Sequence, residues 1–161
     1  MQAEFKEAMA RLPGGVVIVT TYDMSGAPWG FTASSFSSVS LDTPLVAVSI
    51  AKTAECWPHF QTTKAFAVSL LGPHHEETAR CFATRGATKF HSSGFEASAG
   101  GPVMIGARAA ITCATETRVH CGDHTLLIGR VADIELGEDG EGLVYFKRRF
   151  WPAGLPEQGA A

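Results

Sequence analysis

The sequence lacks the features that would direct a protein to a membrane, to a nucleic acid or to secretion. Its longest apolar runs are strand-sized, well short of the ~20 residues of a membrane-spanning helix. The N-terminus has no basic segment followed by an apolar one, so we expect no secretory signal and a cytoplasmic location. Thirteen Lys and Arg against sixteen Asp and Glu give a net charge of −3 without a basic stripe, which argues against nucleic-acid binding.

The sequence also lacks a CxxC pair and a GxGxxG glycine motif. Only Cys56 and His59 have the close spacing of zinc ligands, so we predict no metal site. The four cysteines are expected to be reduced thiols. A nucleotide site of the Rossmann type is disfavoured because its glycine fingerprint is absent. Any nicotinamide cofactor must therefore bind in another way.

The composition is that of one globular domain. The chain has 161 residues, of which 45% are hydrophobic and 18% charged, enough to bury a sizeable core. We expect a single domain over residues 1–161, with its folded core at about 5–151 and a disordered tail at 152–161.

Short β-branched and apolar segments predict a strand-rich fold. Strands are predicted at 16–22, 28–34, 45–50, 65–71, 104–105, 109–116, 125–136 and 143–146. Helices are predicted over the amphipathic residues around Phe5, Met9 and Leu12, at 55–63 and at 74–82. Residues 83–102 are predicted to form a long loop, and 138–142 a hairpin turn. Without alternation of strands and helices, this pattern favours an antiparallel barrel with a few short helices.

Two segments have residues that suit ligand binding. Thr32-Ala-Ser-Ser-Phe36 offers hydroxyl and backbone donors such as the edge of a flat, heteroatom-rich ring requires. Gly122-Asp123-His124 lies between two apolar segments, where a glycine turn can aim the histidine. From the residues alone, the favoured interpretation of the first segment is a polar strand end leading into a turn, and that of the second is a turn with a surface histidine.

An ordered set of motifs resembles the short-chain flavin reductases, which supply reduced flavin to partner monooxygenases. The motifs are Gly30–Pro44 followed by Leu45-Val-Ala-Val48, then Lys52, Phe82-Ala-Thr-Arg85, Lys89-Phe90, Gly122-Asp-His124 and Gly129-Arg-Val131. The resemblance covers residues 5–151. It implies an FMN-binding split barrel of the Greek-key type, which works as a homodimer. The implied activity is that of an NAD(P)H:flavin oxidoreductase, with FMN or FAD accepting hydride from NADH or NADPH.

The resemblance also implies which residues bind the flavin. Those lining it would be Thr32, Ala33, Ser34, Ser35 and Phe36, with Ser38 and Val39 just beyond. Near the ribityl phosphate would lie Lys52, Thr53, Ala54 and Glu55, and Arg85 and Gly86 would approach the phosphate or the adenylate end of the flavin. Lys52 and Arg85 also suit phosphate by their charge. Ala54 lacks the hydroxyl that many relatives have, and Glu55 adds a negative charge, so we expect weaker flavin binding than in those relatives.

On the nicotinamide side, the resemblance implies His124 as the catalytic residue that aligns the hydride donor. Asp123 would fix the turn or hold the imidazole. Phe150 and Trp151 fall where relatives bring their C-terminal segment towards the nicotinamide, although core packing or a dimer contact is an equal alternative.

Three other functions are compatible with the sequence. The first is a non-enzymatic flavin-binding or electron-carrier protein of the same fold. The second is a split-barrel oxidase acting on a small amine such as a pyridoxal precursor, which the small number of arginines disfavours. The third is a structural barrel without a ligand.

Overall fold

Antiparallel strands dominate the computed structural model, which describes residues 1–90 and 94–154. The strands are β1 (Gly14–Gly15), β2 (Val17–Tyr22), β3 (Pro28–Ala33), β4 (Ser37–Ser40), β5 (Leu45–Ala51), β6 (Ala65–Leu70), β7 (Phe95–Glu96), β8 (Val103–Met104), β9 (Ala109–Cys121), β10 (His124–Leu136), β11 (Gly142–Phe146) and β12 (Arg149–Ala153). The helices are α1 (Gln2–Ala10), α2 (Trp57–Thr62) and α3 (Glu76–Ala83), and a 3₁₀ turn (Pro73–His75) precedes α3. The prediction of a mostly β, antiparallel fold with a few short helices is confirmed.

Seven strands form the main sheet, in the order β3-β2-β6-β9-β10-β5-β4. Strands β9 and β10 are its longest pair, and Cys121 lies opposite His124, so that only Gly122 and Asp123 form the loop between them. Gly122 has a φ of 55°, as the first central residue of a type II′ hairpin turn requires. Smaller sheets of β1-β11-β12 and β7-β8 complete the fold.

The core consists of two clusters of apolar side chains. The larger is centred on Phe60 of α2 and on Phe66 and Leu127 of the main sheet, all fully buried. The smaller contains Phe82 of α3 and joins that helix to the main sheet. Gly30 permits this packing, since a Cβ there would lie 2.9 Å from the carbonyl oxygen of Val19 and 3.0 Å from the Phe82 ring. The end of α3 is therefore held against β3.

The structure corrects several predicted boundaries. Residues 138–142 are not a hairpin turn, because they connect β10 of the main sheet to β11 of the three-stranded sheet. The predicted loop at 83–102 contains β7, while its residues 91–93 lie outside the described part of the chain. Strand β4 was not predicted, because its serine-rich sequence is typical of a turn.

The C-terminal boundary was also predicted too early. Pro152 and Ala153 belong to β12 and lie opposite Leu143 and Gly142 of β11, so the predicted disordered tail is wrong for these two residues. The rest of the predicted tail, beyond Gly154, lies outside the described residues.

Helix α1 forms where predicted but ends at Ala10, before Leu12, and the predicted apolar side chains are uncovered in this chain. Phe5, Met9 and Leu12 are all exposed, and α1 contributes no buried residue. In the described ranges, the helices are too short and too polar to cross a membrane.

Candidate active site

A cavity of about 580 Å³ lies where β3 meets the end of α3. Its walls come from the end of β3 and the residues after it, from β5 and the turn that follows, from the last turn of α3, and from His124. Its volume is within the ~300–1,000 Å³ typical of small-molecule sites.

The cavity brings together nine of the sixteen predicted site residues. Those that line it are Thr32, Ala33, Ser34, Ser35, Thr53, Ala54, Glu55, Arg85 and His124. The remaining predicted residues do not line it: Phe36 packs against the larger core cluster, Ser38 and Val39 lie on β4, and Phe150 lines a neighbouring cavity. Gly86 and Asp123 bond to the wall residues Glu55 and His124, and Lys52 bonds to the turn before His124, as described below.

Hydrogen bonds hold the hydroxyl-rich wall in place. The Thr32 hydroxyl donates to the carbonyl oxygen of Ala79 at 2.6 Å, which ties the end of β3 to α3. The backbone N–H of Ser49 donates to the Ser35 hydroxyl at 3.1 Å, which ties the residues after β3 to β5. The wall is therefore fixed from two sides before any ligand binds.

One end of the cavity is charged and already internally paired. Glu55 accepts a hydrogen bond from the N–H of Gly86 at 2.9 Å and lies 3.8 Å from Lys89 Nζ and 3.9 Å from Arg85 Nε. The Gly86 hydrogen bond, with the charges of Lys89 and Arg85, lowers the pKa of Glu55. Arg85 also donates to the carbonyl oxygen of Thr53 at 3.0 Å. An incoming anion would therefore meet two cations that already have a carboxylate between them.

The β9–β10 turn presents His124 to the cavity. Its Nδ1 lies 2.8 Å from Oδ1 of Asp123, and this hydrogen bond is the main reason that the pKa of Asp123 is lowered. Lys52 Nζ donates to the carbonyl oxygen of Gly122 at 2.6 Å, and the Lys52 N–H donates to that of Asp123 at 2.9 Å. Lys52 therefore anchors the histidine turn and does not line the cavity.

A second cavity of about 490 Å³ lies against the first. The two share five wall residues: Thr32, Ala33, Ser34, Ala83 and Thr84. The second cavity adds Arg80, whose guanidinium lies 4.8 Å from the centroid of the Phe150 ring, and Tyr145, whose ring centroid is 5.1 Å from that of Phe150. Arg148 completes this wall.

Of the wall residues that belong to the second cavity and not to the first, the sequence pointed only to Phe150. Arg80, Tyr145 and Arg148 come from separate elements, and Arg80 and Tyr145 belong to no local motif. The run Lys147-Arg-Arg149 was the one available signal, since three adjacent cations in an acidic chain are uncommon.

The sequence of this chain is similar to flavin reductases over nearly its whole length. Residues 9–154 match the flavin reductase like domain family. The actinorhodin polyketide dimerase of Streptomyces coelicolor is 43% identical over 92% of this chain and 85% of its own. The NADH:riboflavin 5′-phosphate oxidoreductase of Streptomyces pristinaespiralis is 38% identical over 91% of this chain and 85% of its own length. The reductase component of 4-hydroxyphenylacetate 3-monooxygenase from Thermus thermophilus is 36% identical over 95% and 100%.

Solved structures agree with the sequence matches. The NADH:FAD oxidoreductase of Streptomyces globisporus, solved in complex with NAD and FAD fragments, is 30% identical, with a TM-score of 0.89 over 99% of this chain and 95% of its own. The styrene monooxygenase flavin reductase of Pseudomonas putida is 31% identical, with a TM-score of 0.86 over 95% and 99%. Fold and cavity thus define a split barrel of the flavin reductase type, as predicted. The chain belongs to the flavin reductase like domain family.

Proposed function

We propose that this protein is an NAD(P)H:flavin oxidoreductase that passes hydride from NADH or NADPH to FMN or FAD. The observation that carries the proposal is the pair of adjacent cavities with a shared wall. Hydride transfer requires two planar ligands in contact, with the reacting atoms ~3–3.5 Å apart. Two neighbouring sites, each large enough for part of such a ligand, meet this requirement.

The first cavity suits a flavin. Its wall offers the hydroxyl groups of Ser34 and Ser35, and the oxygen of the Thr32 hydroxyl as an acceptor, to the heteroatoms of an isoalloxazine ring. Arg85 and Lys89 suit the phosphate, with Glu55 reducing their net charge from two to one. The flavin, when bound, supplies the hydride acceptor. The protein residues orient it and limit how tightly its phosphate is held.

The remaining predicted flavin residues would act from behind the wall. Phe36 packs against the core beneath the hydroxyl segment, and Ser38 and Val39 continue from it into β4. Gly86 holds Glu55, and Lys52 holds the histidine turn. We assign these residues to support of the site.

We assign the nicotinamide ring to the junction of the two cavities, with His124 as the catalytic residue that aligns it. Because Asp123 engages Nδ1 of His124, Nε2 is the nitrogen available to a ligand such as the carboxamide. No proton has to be removed in this step. The second cavity, with Phe150 in its wall, then takes the rest of the donor.

The reduced flavin is proposed to leave and serve a partner monooxygenase in the cytoplasm. Several relatives are named as reductase components of such systems, including that of 4-hydroxyphenylacetate 3-monooxygenase. The weakened phosphate site at Glu55 suits a flavin that dissociates.

We also propose a homodimer, supported by exposed apolar side chains on the long strands and at the β4 edge: Val39, Leu41, Val119, Ile134 and Leu136.

The proposal is tested by following NADH or NADPH oxidation with and without added FMN or FAD. We expect turnover that depends on added flavin and falls at least tenfold in His124→Ala. His74→Ala is the control, since His74 is exposed and outside both cavities. A wild-type protein that binds flavin but oxidises neither donor would instead be a flavin carrier. In that case His124→Ala would leave flavin binding unchanged.

A further inference from the structure

A third cavity, of about 400 Å³, adjoins the second one at Arg148. It lies between α1 and the turn that joins β11 to β12, and its walls are Glu7, Ala10, Arg11, Lys147 and Arg148. Arg148 lines both this cavity and the second one. The three cavities therefore form a series that starts at the flavin site and ends at α1.

Glu7 is held between two arginines in this third cavity. Its carboxylate accepts from Arg148 Nη2 at 3.1 Å and from Arg11 Nε at 3.4 Å. Lys147 is the third cation of the wall, and its backbone N–H donates to the carbonyl oxygen of Ala10 at 2.8 Å. Three cations against one carboxylate leave two positive charges, and Glu7 takes the place between the guanidinium groups where an anion would bind.

The backbone of the β11–β12 turn holds Lys147 and Arg148 in an unfavourable conformation. Lys147 and Arg148 have φ angles of 47° and 61°, a left-handed conformation that side-chain-bearing residues avoid. A two-residue hairpin loop of this kind is ordinarily formed by Asn-Gly or Gly-Gly. Strained positions of this sort concentrate at functional sites. Here the strained turn places Arg148 in the walls of two cavities at once.

We propose that the third cavity receives the adenosine ribose of the hydride donor and that Glu7 makes the enzyme select NADH over NADPH. This inference rests on the proposed reductase function. The 2′-hydroxyl of NADH can donate a hydrogen bond to the Glu7 carboxylate. The 2′-phosphate of NADPH is repelled by that carboxylate and finds Arg11 and Arg148 already paired. Dinucleotide sites of other folds distinguish the two donors in the same way: an acidic residue binds the 2′-hydroxyl of NAD, and an arginine binds the 2′-phosphate of NADP.

Replacing Glu7 should relax this selectivity. In Glu7→Gln the repulsion is removed and both guanidinium groups become available, so the ratio of kcat/KM for NADPH to that for NADH should rise at least about fivefold. Adding Arg148→Met to Glu7→Gln should cancel that gain. Glu116→Gln is the matched control, because Glu116 forms a similarly exposed pair with Arg130 on β9 and β10, outside all three cavities. It should leave the ratio unchanged.

A ratio in Glu7→Gln within twofold of the wild-type value would overturn the inference, as would a wild-type enzyme that prefers NADPH. Calorimetry with adenosine 2′-monophosphate tests Glu7 independently of turnover. Glu7→Gln should bind this nucleotide at least about fivefold more tightly than the wild type, while adenosine 5′-monophosphate should show a smaller gain. Failure of the reductase proposal would appear as absent turnover of both donors. Failure of this inference would appear as unchanged selectivity and unchanged binding of the 2′-phosphate.

Discussion

The imidazole of His124 is hydrogen-bonded to the carboxylate of the residue before it, Asp123, with 2.8 Å between Nδ1 and Oδ1. Both residues lie at the same two-residue connection, so the pair is formed locally, and its position depends on the pairing of β9 with β10. Both side chains are substantially exposed. The pair therefore serves to orient the ring, and we do not assign it a large share of the stability.

Removing the histidine should be measurable at the aspartate. His124 keeps the pKa of Asp123 below its ordinary value, first through the hydrogen bond and then through charge. In His124→Ala we expect that pKa to rise towards the value of a free aspartate, as followed by NMR titration of the side-chain carboxyl. His74→Ala should leave the titration of Asp123 unchanged. An Asp123 that titrates identically in wild type and His124→Ala would show that the pair does not persist in solution.

Glu55 should weaken the binding of flavin phosphate specifically. Glu55→Gln keeps an oxygen that can accept from the Gly86 N–H but removes the charge between Arg85 and Lys89. We expect the Kd for FMN to fall about three- to tenfold, as measured by quenching of flavin fluorescence. Riboflavin has no phosphate, so its Kd should change little.

The control is Glu135→Gln on β10, outside the cavity, which should affect neither ligand. Equal tightening of FMN and riboflavin in Glu55→Gln would contradict a role at the phosphate.

The fully buried hydroxyl of Thr125 joins two elements beneath the histidine turn. It accepts from Trp57 Nε1 at 3.0 Å and lies 3.1 Å from Nδ1 of His120. Thr125→Val keeps the shape but leaves both groups without this partner, so the free energy of unfolding should fall by about 1–3 kcal/mol. Urea denaturation measures the change. Thr62→Val is the comparison, because the Thr62 hydroxyl is exposed. If Thr62→Val lowered the free energy of unfolding as much as Thr125→Val, the buried hydrogen bonds of Thr125 would not explain the loss.

His75 should make the protein less stable in mild acid. It is buried, its Nδ1 accepts from the Gly72 N–H at 3.2 Å, and its Nε2 lies 3.1 Å from the carbonyl oxygen of Ile105. The neutral ring satisfies both contacts. Burial is the main reason that the pKa of His75 is lowered. Since the unfolded chain takes up a proton near its ordinary pKa of ~6.5, stability is full above that pH and is lost as the pH falls towards the lower folded pKa.

The melting temperature should therefore decrease as the pH is lowered from 8 to 5, a span of about three units around the histidine pKa. In His75→Asn the melting temperature should depend less on pH. His74→Asn, at the exposed neighbour, should retain it. If the melting temperature of His75→Asn falls with pH as steeply as that of the wild type, then His75 is not the cause of the pH dependence.

The parts of the fold that follow from local chemistry were predictable. A run rich in β-branched residues indicated β2, short apolar segments indicated β5 and β6, and Gly122 indicated the tight β9–β10 turn. Strand β4 was missed because serines favour turns in isolation, and it forms only by pairing with β5. Strand β12 was missed because Lys147 and Arg148 do not resemble turn residues, and only tertiary context holds them in a left-handed conformation.

The site residues likewise divide into those that local motifs predict and those that only tertiary packing brings together. Thr32 to Ser35 and His124 lie in short motifs, and the structure places them around one cavity. Arg148 and Glu7 are more than a hundred residues apart and meet only through the packing of α1 against the β11–β12 turn. No pattern in the sequence could have paired them.

The wall common to the first two cavities limits how this enzyme can change during evolution. Thr32, Ala33 and Ser34 border both the proposed flavin site and the proposed donor site. A mutation in these three residues that improves the fit of one substrate alters the fit of the other in the same step. Lineages that alter their flavin preference through these residues must therefore compensate at positions that border only one of the two sites, such as Glu55 or Tyr145.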